Sequence, residues 1–140
     1  MQITKRGFLK AGSGLLALLL GRAHADLPRQ QPEPKAATPT EVPIQISAVA
    51  GFQYHAGTQV WSSLEVGHLL TLQRETDNRY DQKAIVVLWN QHKLGYVPRT
   101  DNVTLAQMMD RGIPLQARIV KLTQSADPWK RIGMEIRMQV

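Results

Sequence analysis

The sequence predicts a mainly β domain: a small, strongly curved sheet or partly open, OB-like barrel carrying one or two short helices. Three observations predict it. After residue 43 the chain breaks into short apolar runs divided by Gly, Asn, Asp and Pro, the punctuation of strands and turns. The last segment alternates Ile132, Met134, Ile136, Met138 and Val140 with Gly133, Glu135, Arg137 and Gln139, the period of two that marks a half-buried strand. Only one stretch, residues 100–112, has helical spacing. Five to six short strands with one or two helices, in a segment of this length, fold as a curved sheet or barrel.

The elements follow in order. Residues 1–25 join a basic start (Lys5, Arg6, Lys10) to an apolar run over 11–20 and the triplet Ala23-His24-Ala25, the layout of a cleaved export signal. The apolar run rises about 15 Å as a helix, half of a bilayer core, and has no polar face. Within the leader, Thr4-Lys5-Arg6-Gly7-Phe8-Leu9-Lys10 resembles the twin-arginine export motif, with lysine in the first arginine position. The expected destination is the periplasm or the outside of the cell, with no permanent membrane span. Residues 26–43 hold five prolines among eighteen positions and little apolar content, so an extended, flexible linker is expected there.

The domain is expected over 44–140. Ile44, Ile46 and Ala48 alternate with polar neighbours in a first strand, and residues 68–73, 84–89 and 93–97 supply the next three. In 100–112, Val103, Ala106 and Met109, or Leu105, Met108 and Met109, line one face; Asp101 or Asn102 is placed to cap the start, and Gly112 and Pro114 mark the end. Residues 114–124 and 132–140 return to strand.

Composition limits the chemistry. With no cysteine among 140 residues there is no disulfide, thiolate metal site or cysteine nucleophile. The formal charge is +6, but the leader holds four basic residues and no acid; without it 13 basic face 11 acidic residues, a weak net of +2. No phosphate loop, nucleophile elbow or H-E-x-x-H pattern occurs in the domain. His55, His68 and His92 lack metal spacing, and a calcium loop begun at Asp77 would put Arg79, Gln82 and Leu88 where ligands or glycine belong. No catalytic residue, metal or cofactor is expected.

What remains is the polar segment "RETDNRYDQKAI" at 74–85. Asp77 and Asn78 can close an Asx-turn, and Asp81 can accept backbone N–H groups before the next strand. Tyr80, with Tyr96 and Arg99 on the following strand and just beyond, admits two readings: a structural tyrosine pair, or flat rings beside amide and guanidinium groups that suit a nucleotide.

The segments "GFQYHAG" at 51–57, "GHLLTLQRETDNRYDQKAIVV" at 67–87, "KLGYVPR" at 93–99 and "LAQMMDRG" at 105–112 resemble the HIRAN domain family in that order, the most specific piece being L-x-R-E-x-x-N-x-Y-D-x-x-A-I. The resemblance spans roughly residues 46–124. It implies an OB-like barrel that grips single-stranded DNA at a 3′ end. By this resemblance Tyr54 and Tyr80 would stack on or flank terminal bases, Asp81 would accept from the free 3′-hydroxyl, Asn78 with Arg99 would help hold the backbone, and His55 and Tyr96 complete the expected nucleic-acid-binding set. A carboxylate repels an internal phosphate and accepts from a hydroxyl, so it selects an end. Three positions depart from the DNA-binding members: Gln53 replaces a basic residue, His55 an aromatic one, and Asp77 an amide, each weakening contact with a polyanion.

The function expected is therefore a non-catalytic nucleic-acid-binding module; the alternative is an exported module that uses the same barrel groove for a peptide, a glycan or a partner protein. A basic strip, Arg111, Arg118, Lys121, Lys130, Arg131 and Arg137, favours the first.

Overall fold

The computed structural model describes residues 38–140. The expected leader, and the expected linker as far as residue 37, lie outside the described residues. Six strands, β1 (Glu41–Ala48), β2 (Leu69–Arg74), β3 (Ile85–Trp89), β4 (His92–Tyr96), β5 (Leu115–Leu122) and β6 (Ile132–Gln139), form one antiparallel sheet in the order β1-β6-β5-β2-β3-β4. Two helices, α1 (Gly57–Val60) and α2 (Arg99–Asp110), complete a mainly β fold of the kind expected. Strand β1 begins at Glu41, three residues inside the segment expected to be linker.

The two edge strands meet at one point. Just past β1, Ala50 exchanges both backbone hydrogen bonds with Tyr96 at the end of β4, at 2.8 and 2.9 Å. The sheet thus curls into a barrel pinned at a single bridge and otherwise left open. Gly95 makes the approach feasible: its φ is +153°, and a Cβ there would sit 2.2 Å from the Ala50 carbonyl oxygen. Register shifts at Pro43/Gln45, Val87/Leu88 and Ile119/Lys121 add the local bend and twist that such curvature needs.

Inward-facing side chains from every strand fill the barrel. Ile132, Met134 and Ile136 are buried as their alternation predicts, against Leu70, Ile85, Val87, Leu94 and Ile119. Each such side chain contributes about 1.5–3 kcal/mol by leaving water. Strand β1 departs from expectation: Ile44 and Ile46 are exposed, while Ser47 and Val49 face inward. The shift after Pro43 changes which residues point to the core, because a one-residue offset flips every side chain.

Helix α2 also differs in detail. It starts after Pro98 with no side-chain cap; Asp101 accepts from Ser47 Oγ at 2.6 Å instead of capping, and Asn102 is buried. The buried face is Asn102, Leu105 and Ala106, with Met109 packed at its margin, and Val103 is outside. A polar residue at the first core position hid this face from a purely apolar count. Gly112, with φ +81°, ends the helix as expected.

Candidate nucleic-acid interface

The loop between β2 and β3 is built by its own polar side chains. Asn78 Oδ1 accepts from the backbone N–H groups of Tyr80 (2.9 Å) and Asp81 (3.1 Å), the expected Asx-turn, and Asp81 Oδ1 accepts from Lys83 N (2.9 Å). Arg74 clamps the ends of the loop: its guanidinium donates to the carbonyls of Ala84 (2.6 Å) and Gln82 (3.0 Å), and to Asp110 of α2 (2.9 Å). So stapled, the loop projects the Tyr80 ring outward, 79% exposed.

A second phenol is raised by the opposite device. Phe52 is fully buried and packs edge-on against Trp61 at 5.7 Å, with Gly57 leaving room where a Cβ would lie 2.2 Å from its ring. The short 3-10 turn Phe52–Tyr54 is thereby anchored at one end, and Tyr54 stands 79% exposed at the other.

Between these rings lies a groove of about 630 Å³. Of the residues predicted from sequence, Tyr54, Asn78, Tyr80, Asp81, Tyr96 and Arg99 line it. His55 does not; it packs edge-on against the Tyr96 ring, with centroids 5.7 Å apart. Arg99 is exposed and donates to the Tyr80 carbonyl at 2.6 Å, while its Nε stays 3.8 Å from Asp81 Oδ2. Asp81, one-fifth exposed, accepts on Oδ2 from buried Asn102 at 2.8 Å. A carboxylate offers about four lone-pair sites. Two are filled by these hydrogen bonds, which leaves acceptor capacity on a carboxylate that lines the groove.

Behind the loop, Tyr96 Oη donates to Glu75 (2.9 and 3.2 Å) and accepts from Lys93 Nζ (2.6 Å), and Asn78 Nδ2 donates to Glu75 Oε1 (2.8 Å). Burial alone would raise the Glu75 carboxyl. The Tyr96 hydroxyl, the Asn78 amide and Lys93 outweigh it and hold the group below the ordinary value of 4.5. His55 is held below 6.5, first by burial and then by the Lys93 charge, with Glu75 opposing. Tyr96 and Asn78 are therefore fixed by a network rather than free to turn. Among the described residues no cluster of His, Asp and Glu could hold a metal ion.

Two residues of the site escaped the sequence reading. Asn102 was expected as a helix cap, and its burial is what turns it onto Asp81. Trp129 lies 49 positions beyond Tyr80, in a Pro-containing turn with no local signal; it is 53% exposed and lines the groove, its backbone N–H bound to Asp127 at 3.1 Å. Half of the expected basic strip is already engaged within the domain. Arg118 and Arg137 pair with Glu41, Arg137 also with Glu135, and Arg131 lies over the Phe52 ring at 5.5 Å.

A partly open β-barrel whose mouth carries exposed rings around an oriented carboxylate is the architecture of a small binding module. The chain belongs to the HIRAN domain family, which it matches over residues 44–140. HIRAN domains are nucleic-acid-binding modules. A crystal structure of a protein from Lactobacillus plantarum is similar, with 31% identity and a TM-score of 0.65 over 71% of this chain and 96% of that one. The HIRAN domain of human HLTF shares the fold at 20% identity, with a TM-score of 0.56 over 71% of this chain and 78% of that one. No match was found among curated proteins.

Proposed function

We propose that this chain is a non-catalytic module that holds single-stranded DNA at its 3′ end. The observation that carries the reading is one groove in which Tyr54 and Tyr80 expose their rings beside Asp81, whose carboxylate is oriented by Asn102. Rings of this exposure stack on bases of any sequence, worth about 1–3 kcal/mol per base. Asp81 accepts from a terminal hydroxyl and repels a phosphate in its place; a single charge 4 Å away costs about 1–4 kcal/mol between bulk water and a surface-like dielectric. Arg99, exposed at the rim, supplies the cation for the adjoining backbone phosphate.

Equilibrium binding of the full chain to short oligonucleotides tests this, with Tyr80→Ala as the comparison. The variant folds as wild type, since the ring is exposed, and binds about tenfold more weakly. Absence of any oligonucleotide binding would return the groove to a peptide, glycan or partner protein.

The leader supports export as part of the same proposal: the mature protein starts near Asp26, in the periplasm or outside the cell. Mass measurement of the protein from cell fractions checks this. Intact residues 1–25 on cytosolic protein would overturn it.

A further inference from the structure

We propose that the bound strand leaves the first groove across Trp129 and lays its internal phosphates along a second groove, where Lys121 and Lys130 receive them. The inference rests on the reading of the first groove as the seat of a strand end. The second groove, about 440 Å³, runs between exposed Ile46 of β1 and the β5–β6 side of the sheet, with Lys121, Thr123 and Lys130 along it. Trp129 lines both grooves, so the two adjoin at this residue.

Four features suit this channel to a phosphodiester backbone. The first groove has the volume of a site for one drug-sized ligand, so a strand longer than a nucleotide or two has to leave it. Gly133 keeps the floor low beside Lys121; a Cβ there would stand 3.1 Å from the lysine's own Cβ. Among the described residues Lys121 makes no ion pair, and Lys130 makes only a long contact with Asp127 at 3.9 Å. The one acid on the wall, Asp101, is turned onto Ser47 Oγ at 2.6 Å. Lysine is a point charge on a flexible stem, fitted to a backbone that carries no fixed geometry.

The experiment compares the full-length wild type with the double variant Lys121→Gln/Lys130→Gln, using a 3′-hydroxyl dinucleotide and octanucleotide over a range of salt. Wild type is expected to bind the octanucleotide more tightly. In the double variant that affinity falls about tenfold and the salt slope becomes shallower by about 1.4, at roughly 0.7 per phosphate contact for single strands, while the dinucleotide is unaffected. If the double variant keeps the wild-type octanucleotide affinity and slope while Asp81→Ala weakens both ligands, the second groove is overturned and the first stands. Equal weakening of both ligands by the lysine changes also overturns it, because the lysines would then act on the end itself. If wild type binds neither ligand, both readings fall.

Discussion

Asn102 Nδ2 donates to Asp81 Oδ2 at 2.8 Å, a bond from the buried first turn of α2 to the loop before β3. It makes the helix the support for the one carboxylate that faces the groove. Asn102→Ala removes a donor to an ionised group and is expected to cost about 2 kcal/mol in urea unfolding, with loss of any preference among strand ends. Asn102→Asp instead sets two carboxylates in contact, relieved by taking up a proton. That variant should gain stability as pH falls, opposite to wild type.

The Ala50–Tyr96 bridge sets the mouth of the barrel, and Gly95 permits it. Gly95→Ala forces a Cβ to within 2.2 Å of a carbonyl oxygen and is expected to destabilise by more than about 3 kcal/mol. Gly67→Ala is the control: φ there is +97° but nothing lies within 4 Å, so only the backbone cost of about 1–2 kcal/mol applies. Unfolding midpoints in urea separate the two; similar losses would deny the bridge its role.

The network behind the groove makes stability fall in acid. Glu75 is held below 4.5 in the folded state, so its contribution is present above that pH and lost as pH drops through the folded value. His55 is held below 6.5, so the unfolded chain takes its proton first and stability already declines as pH falls from 6.5. Tyr96→Phe removes the hydroxyl that favours the Glu75 carboxylate. It should flatten the limb below 4.5 in thermal unfolding and leave the decline near 6.5 in place.

Much of this was legible in the sequence because it is local. The alternation of β6, the Asn78 turn and the Asp81 contact with Lys83 each depend on neighbours a few positions apart. The family motif carried Tyr54, Tyr80 and Arg99 to one groove, although nothing in their spacing joins them. What stayed hidden is tertiary: the inward turn of Asn102, the arrival of Trp129 from the β5–β6 connection, and the neutralisation of Arg118 and Arg137 by glutamates. The β1 face was misread because a register shift inverts an alternation that is itself plain. His55, expected in the site as the second member of the Tyr54 pair, packs against Tyr96 and is not among the residues that line the groove.

The central claim is that Asp81 reads the chemistry of a strand end, and the direct measurement is binding of the full chain to one oligonucleotide ending in a 3′-hydroxyl or in a 3′-phosphate. The hydroxyl form is expected to bind about tenfold or more tightly, with the difference abolished by Asp81→Ala. Equal affinity for the two ends in wild type, or a preference that survives Asp81→Ala, would contradict it.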